Sequence, residues 1–155
     1  MKEAEQAIRE KVIQLLARRE YSVRELTIRL SSKFDPELVE QVVDALAQQG
    51  LQSDHRFADN LVRGRISQGH GPIRIQSELK QKGIASDLIQ QVLEENPVDW
   101  FELALSTYQR RFGEHHASDL KVRAKQLRFL QYRGFSLDQI RYALDFDPAD
   151  PCADS

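Results

Sequence analysis

The sequence predicts an all-α protein made of three tandem three-helix repeats in an elongated, curved array. Apolar residues recur at helical spacing along nearly the whole of the 155-residue chain. Glycine and proline are sparse, with 7 and 5 residues, which disfavours a β-rich fold with many tight turns. The order of helices and breaks also recurs about every 50 residues, as expected when one supersecondary unit is repeated.

The first repeat begins with a helix defined by its apolar spacing and continues with two helices defined by their start signals. Ser22 followed by Glu25 is typical of a capping box, in which the hydroxyl and the carboxylate each accept an N–H at the helix start. Asp35 and Pro36 are typical of an N-cap followed by proline at the first helical position. The predicted helices cover residues 3–18, 23–33 and 36–49.

The second and third repeats show the same punctuation. Ser136 and Gln139 form a second capping-box pattern, and Gly83 and Gly134 each follow a helical segment. In the second repeat the predicted helices cover residues 54–68 and 72–82, followed by a helix capped by Ser86. In the third repeat the first predicted helix starts at Asn96-Pro97 and ends before Gly113. The second covers residues 119–133, and the last ends near Asp145.

The repeats can be aligned with one another. The segment from Leu79 to Ile84 lies 51 residues before the segment from Leu130 to Phe135. The first repeat matches less closely, since Leu30 lies 49 residues before Leu79. We therefore expect repeats at residues 1–50, 51–96 and 97–146, followed by an acidic, flexible tail at 147–155.

Charge is nearly balanced overall but uneven along the chain. With 22 basic and 24 acidic residues, the net charge of −2 argues against a globally basic nucleic-acid coat protein. Residues 56–83 carry six basic and two acidic side chains, and residues 108–134 carry seven and two, whereas residues 145–155 contain four aspartates and no basic residue. The two basic segments predict local positive faces, which serve either as binding surfaces or as ordinary solvated helix faces.

Several functional classes find no support in the sequence. No apolar run approaches the roughly 18 residues of a membrane span, and no apolar secretory region follows Met1. The single cysteine, Cys152, indicates a reducing compartment. His115 and His116 lack a further metal-ligand motif, and neither a phosphate-binding glycine loop nor a spaced catalytic set is evident. We expect a cytoplasmic, monomeric, non-enzymatic protein without metal, cofactor or membrane partner.

Two groups of basic residues are the candidate binding sites. Arg56 and Arg63 are seven residues apart and share one face of the helix predicted at 54–68. In the helix predicted at 119–133, the spacing i, i+4, i+7 places three cations in one stripe, namely Lys121, Lys125 and Arg128. A neighbouring apolar stripe comprises Leu120, Ala124 and Leu127. An exposed row of cations can hold phosphates or an acidic protein surface. Most aromatic residues of the third repeat are expected in the core, but an exposed Tyr132 would be able to stack on a base or a partner.

Two sets of motifs, one in each of the last two repeats, point to a known family. The first comprises Arg56-Phe57-Ala58, Arg65, Gly71, Arg74-Ile75, Glu78-Leu79 and Lys82-Gly83-Ile84. The second comprises Lys125, Arg128-Phe129-Leu130, Arg133-Gly134-Phe135-Ser136 and Ile140. In order and spacing, over about residues 8–145, the sequence resembles the RecX regulatory proteins. One departure follows Leu51, where the family usually has two acidic residues and this chain has Ser53 and Asp54.

The resemblance implies a bacterial cytoplasmic modulator of the RecA recombinase. Such proteins lie along the groove of the recombinase filament on single-stranded DNA and typically inhibit its ATPase, strand-exchange and co-protease activities. The partner expected from the resemblance is therefore the RecA filament, with weak, sequence-indifferent DNA binding as a second expectation. As a hypothesis, Lys121, Lys125 and Arg128 make one contact. The other contact is assigned to the basic segment at 56–83, through Arg56, Arg63, Arg65 and Arg74.

Two alternatives stay open at this point. Residues 22–50 are also typical of a helix-turn-helix motif, which would make the protein a DNA-binding transcription regulator. Against this, the second of those helices carries Glu37, Glu40 and Asp44 and no basic residue, which is a poor surface for a DNA groove. The other alternative is a helical adaptor with an unrelated protein partner.

Overall fold

The computed structural model describes residues 2–114 and 119–148, and within these ranges it contains nine α-helices and no β-strand. The helices are α1 (Lys2–Arg18), α2 (Val23–Ser31), α3 (Pro36–Gln48), α4 (Asp54–Ser67), α5 (Pro72–Gln81), α6 (Ser86–Glu95), α7 (Trp100–Phe112), α8 (Leu120–Tyr132) and α9 (Leu137–Asp145). Every predicted helix is present, which confirms the all-α fold. His115, His116, Cys152 and the rest of residues 149–155 lie outside the described residues.

The chain forms two compact units. Of the described residues, the first unit contains 2–62 and 78–96, and the second contains 63–77, 97–114 and 119–148. The divisions fall within α4 and α5, so each unit draws on parts of the predicted second repeat. The repeat boundaries at residues 50 and 96 stay a prediction.

The first unit has a core formed by α1, α2 and α3. Its buried side chains are Ile8, Val12, Leu15, Tyr21, Leu26, Leu30, Val39, Val43 and Leu46. The predicted capping box at the start of α2 is confirmed, because Ser22 Oγ accepts the N–H of Glu25 and the Glu25 carboxylate accepts the N–H of Ser22. Asp35 caps α3 as predicted, through the N–H of Glu37. Local start signals therefore set the angle at which each helix leaves its turn.

The second unit has a core formed by α7, α8 and α9. Its buried side chains are Ala104, Leu105, Tyr108, Leu130, Phe135, Ile140, Ala143 and Leu144. The capping box of Ser136 and Gln139 is confirmed at the start of α9. The Tyr108 hydroxyl donates to Gln126 Oε1 at 3.2 Å, which satisfies a polar side chain that α8 turns towards the core. Burial raises the pKa of Tyr108 above its ordinary value.

Two predicted helix starts are wrong. Ser86 is the first residue of α6 rather than its cap, and the N-cap is Ala85, which has no side-chain oxygen to accept a hydrogen bond. The third repeat does not start its helix at Asn96-Pro97. Asn96 ends α6, where its Nδ2 donates to the Val92 carbonyl and to Asp59, and Asp99 caps α7 instead.

An arginine and a glycine meet in the same way in each unit. In the first unit, Arg24 at the start of α2 extends along the turn between α5 and α6, where its side chain packs against Gly83 and its guanidinium lies 3.4 Å from the Lys80 carbonyl oxygen. In the second unit, Arg74 at the start of α5 packs against Gly134 and donates to the Tyr132 carbonyl oxygen at 3.3 Å. We call these two contacts the arginine–glycine joints.

Candidate partner-binding surface

Helix α8 turns a row of cations to solvent. Asp119 caps the helix by accepting the N–H of Lys121 at 2.8 Å, and burial of Gln126 and Leu130 fixes which side of the helix faces the core. Lys121, Lys125 and Arg128 lie on the other side and are exposed. Within residues 2–114 and 119–148, none of these three side chains has a carboxylate or other polar partner.

Tyr132 extends this row by one more helical turn. Its side chain is 74% exposed, and it follows Arg128 at the i+4 position on the same face. The Arg74 guanidinium lies 4.9 Å from the centre of the Tyr132 ring, so the ring has a cation on one side. We call Lys121, Lys125, Arg128, Tyr132 and Arg74 the basic face. The structure thus joins Arg74, from the basic segment at 56–83, to the stripe predicted in the third repeat.

Arg56 belongs to the first compact unit and is not a member of the basic face. Its Nε donates to Glu20 at 3.1 Å, and its Nη2 donates to the carbonyl oxygens of Gly50 and Leu51 at 2.8 and 3.1 Å. These three acceptors belong to the end of α1 and to the turn after α3. Arg56 therefore holds the entry to α4, and its donors are directed at the protein itself.

Arg63 and Arg65 belong to the second unit but differ from the cations of α8. Arg63 is exposed and Arg65 is half-buried, with one nitrogen 3.3 Å from Gln68 Oε1. Both arginines engage other residues of the protein. Of the four cations in the segment at 56–83, Arg74 donates to a residue of α8 and stacks on its Tyr132 ring.

The apolar stripe on α8 is only partly buried. Leu127 packs against the core, but Leu120 is 81% exposed and Ala124 is exposed as well. Gln126 and Leu130 take the core-facing positions of the helix, with the Tyr108 hydroxyl as the partner for the amide.

Ser53 and Asp54, where this chain departs from the family pattern after Leu51, both contact helix starts. Ser53 Oγ accepts the N–H of Arg56 at 3.1 Å and so caps the start of α4. Asp54 Oδ1 accepts the N–H of Val23 and the amide of buried Gln52, both at 2.9 Å. The carboxylate thereby ties the start of α4 to the start of α2.

Helix α3 offers no surface for a DNA groove. Glu37, Glu40 and Asp44 are all exposed on it, and they line a shallow pocket with Gln41 and two apolar residues. An exposed face of this sign repels phosphate. The geometry therefore disfavours the helix-turn-helix alternative.

Two further features are absent from the part of the chain that the structure describes. Within residues 2–114 and 119–148, no group of three His, Cys, Asp or Glu side chains is placed to hold a metal ion. In the same ranges, no helix combines the length and the apolar character needed to span a membrane.

Sequence reasoning missed a second cluster of cations in the second unit. Arg110 and Arg111 at the end of α7 and Arg133 at the end of α8 line one pocket with Phe129. All three lie within the basic segment at 108–134, but the sequence does not group them, because they come close together only through the packing of α7 on α8. The alignment of Lys82 with Arg133, 51 residues later, was the one signal available.

The fold and these surfaces define an all-helical repeat protein that presents charged faces. Family models for the three successive three-helix domains of RecX match residues 9–46, 53–93 and 98–144. Regulatory protein RecX of Halorhodospira halophila is 44% identical over 141 residues, which cover 90% of this chain and 88% of the relative. The corresponding protein of Vibrio parahaemolyticus is 42% identical over 143 residues, which cover 92% of each chain.

The solved structures agree in fold. RecX from Lactobacillus salivarius superimposes with a TM-score of 0.75 at 20% identity, covering 92% of this chain and 96% of that one. A second crystal structure of regulatory protein RecX gives a TM-score of 0.72 at 23% identity, covering 92% of this chain and 72% of that one. The chain belongs to the RecX family of regulatory proteins, a family of regulators rather than of known enzymes.

Proposed function

We propose that this protein binds the RecA recombinase filament on single-stranded DNA and inhibits its ATPase, strand-exchange and co-protease activities, modulating recombination and the SOS response. It does so as a cytoplasmic monomer. Membership of the RecX family supports the choice of partner. The single structural observation that supports a binding role is the basic face, where three exposed cations of α8 are left without a carboxylate partner in the described part of the chain.

The basic face is suited to an anionic partner surface. An exposed cation that pairs within its own protein contributes little to a partner, whereas Lys121, Lys125 and Arg128 keep their donors free of the other described residues. Phosphates of the DNA strand and carboxylates of the recombinase are both acceptors for these groups. Tyr132 adds an exposed aromatic surface, which an unstacked base or an apolar side chain would cover.

Tandem repeats explain how weak local contacts add up to inhibition. When one repeat has bound a protomer of a helical filament, the next repeat is held near the adjacent protomer. The second contact is then governed by an effective concentration that short linkers raise to about millimolar values. Contacts along several protomers oppose the relative movements that ATP turnover and strand exchange require.

The test is the DNA-dependent ATPase rate of a RecA recombinase, titrated with this protein at two salt concentrations. We expect inhibition well below one molecule per recombinase protomer, and weaker inhibition at the higher salt because exposed charges are screened. Inhibition that develops only as the protein saturates the DNA would instead indicate competition for the strand. Absence of inhibition at every ratio would refute the proposed function.

The basic face is tested by replacing Lys121, Lys125 and Arg128 together with alanine. A matched control replaces three exposed cations elsewhere with alanine, namely Lys11, Arg18 and Lys33. Net charge changes by the same amount in both variants. We expect only the α8 variant to lose inhibition, with both retaining their helical circular dichroism. Equal inhibition by a folded α8 variant and the wild type would remove the basic face from the mechanism.

A further inference from the structure

The pocket at the ends of α7 and α8 contains three guanidinium groups and no acidic residue. Six residues line it, namely Gln68, Thr107, Arg110, Arg111, Phe129 and Arg133. Its volume is about 170 Å³, several times the roughly 30 Å³ that one water molecule occupies in the liquid. All six residues belong to the second compact unit.

Two of the three guanidinium groups lie against the Phe129 ring. The Arg133 and Arg111 guanidinium carbons lie 4.9 and 5.5 Å from the centre of this ring. The ring itself is held edge-on against Phe112, with the centroids 5.2 Å apart. Arg133 is further fixed by donating one N–H to the Gln68 carbonyl oxygen at 2.7 Å. Two of the three cations are thus positioned before any ligand arrives.

The related position in the first unit shows what this pocket lacks. Lys82, which aligns with Arg133, lies 3.1 Å from Glu25, so its charge is neutralised within the protein. In the first joint Arg24 is followed by Glu25, whereas in the second joint Arg74 lies between Ile73 and Ile75, neither of which carries a carboxylate. The second joint therefore has no carboxylate to pair with Arg133. Its partners in the described residues are a neutral carbonyl oxygen and a ring.

Arg110 and Arg111 reinforce the uncompensated charge. Both are exposed in the last turn of α7, and within the described residues neither side chain has a carboxylate partner. Guanidinium groups bind phosphate through paired N–H donors, and three of them surround a tetrahedral oxyanion more fully than the flatter carboxylate. The amide of Gln68 supplies a further donor at the rim.

We propose that this pocket is a binding site for a phosphate group. The phosphate comes either from a nucleic-acid strand or from a free phosphate or nucleotide. The site is separate from the basic face of α8, and its test needs no recombinase. Failure here therefore leaves the proposed function standing, and failure of the proposed function leaves this site standing.

The first arm measures binding of inorganic pyrophosphate by calorimetry at low ionic strength. The wild type is expected to bind one equivalent. The variant carrying Arg110→Gln and Arg111→Gln is expected to bind at least about tenfold more weakly, since it cannot form the same charge-assisted hydrogen bonds. Arg133 is left in place because its bond to Gln68 holds the loop. The matched control carries Lys11→Gln and Arg18→Gln, two exposed positions on α1, and is expected to bind as the wild type does.

The second arm identifies the source of the phosphate with a fluorescent oligo(dT) strand. The phosphate is assigned to the nucleic-acid strand if pyrophosphate displaces the oligonucleotide and if the affinity of the double variant for the oligonucleotide depends less steeply on salt concentration. The slope of the logarithm of the binding constant against the logarithm of the salt concentration should then decrease in magnitude by about 0.7 for each strand phosphate that the two replaced arginines neutralise in the wild type. Pyrophosphate binding without displacement assigns the site to a free phosphate or nucleotide. Both results support the phosphate site. It is overturned if the wild type binds no pyrophosphate, if the folded double variant binds it equally, or if only a glutamate-rich peptide binds.

Discussion

Gly71 and Gly134 are in direct backbone contact although 63 residues separate them in the sequence. The N–H of Gly71 donates to the Arg133 carbonyl oxygen at 2.7 Å, and the N–H of Ile73 donates to the Gly134 carbonyl oxygen at 3.0 Å. A Cβ atom built on Gly71 would lie 2.4 Å from the Gly134 oxygen. The absence of a side chain at Gly71 is therefore what allows α5 to begin against the turn that ends α8.

Gly71→Ala is expected to lower the free energy of unfolding by about 1–3 kcal/mol, because backbone atoms have to move to accommodate the added carbon. Urea unfolding followed by circular dichroism measures this. Gly64→Ala is the control, since its Cβ would meet no atom within 4 Å. Because Gly64 lies within α4, its replacement by alanine is expected to raise the free energy of unfolding by about 0.5–1 kcal/mol. Equal effects of the two substitutions would show that the contact is not tight in solution.

The capping box of α2 gives a second prediction. Ser22→Ala removes the oxygen that accepts the Glu25 N–H, so we expect a loss of about 1 kcal/mol in the free energy of unfolding. Ser86→Ala is its control, because Ser86 is exposed and the start of α6 has no side-chain cap hydrogen bond. That variant is expected to unfold within about 0.5 kcal/mol of the wild type. A loss at Ser86 as large as that at Ser22 would contradict the observed helix start.

The helices were predictable because their start signals are local. The box at Ser22 and the one at Ser136 involve residues three apart, and both are confirmed. The error at Ser86 is instructive, since the repeat alignment would have corrected it. Ser136 lies two residues after Gly134, and the residue two after Gly83 is Ala85, which is the observed N-cap. The position relative to the turn glycine decides where the helix starts, whichever residue type stands there.

The grouping of the cations was less predictable because it depends on distant contacts. Arg56 donates a hydrogen bond to Glu20, 36 positions away in the sequence, and Arg74 donates to the carbonyl oxygen of Tyr132, 58 positions away. Spacing along one helix correctly placed Lys121, Lys125 and Arg128 on an exposed face, since that property belongs to the helix alone. Which cations are neutralised by the protein itself depends on tertiary packing, which no local pattern records.

The lowered pKa of Glu25 predicts that the free energy of unfolding depends on pH. Partial burial by itself raises the pKa of this carboxyl group, but the N–H of Ser22 and the cations of Arg19 and Lys82 outweigh it and hold the pKa below its ordinary value of 4.5. A lowered pKa in the folded state means that the ionised group stabilises the fold above the unfolded-state pKa. This contribution is lost as the pH falls through the folded-state pKa.

Glu25→Gln isolates this effect because glutamine also serves in a capping box. We expect the variant to be less stable than the wild type at pH 7, with the difference shrinking steadily as the pH falls below about 4.5. Unfolding by urea at a series of pH values measures it. Glu40→Gln, at an exposed position on α3, controls for the loss of one negative charge. A difference that does not change with pH would show that the ion pairs with Arg19 and Lys82 contribute nothing.

The exposed ring of Tyr132 gives the last prediction. Tyr132→Ala is expected to leave stability nearly unchanged, because 74% of the residue is exposed, but to weaken inhibition of the recombinase ATPase by about fivefold or more. This corresponds to the lower end of the roughly 1–3 kcal/mol that one aromatic stacking contact contributes. Tyr132→Phe keeps the ring beside Arg74 and is expected to inhibit as the wild type does.

Leu120→Ala is the matched control for this prediction, since Leu120 is an exposed apolar residue at the other end of α8. It is expected to inhibit normally. If Leu120→Ala and Tyr132→Ala weakened inhibition equally, the partner would be covering α8 as an apolar surface rather than stacking on one ring. If neither change had an effect while the α8 cation variant lost inhibition, the basic face would act through its charges alone.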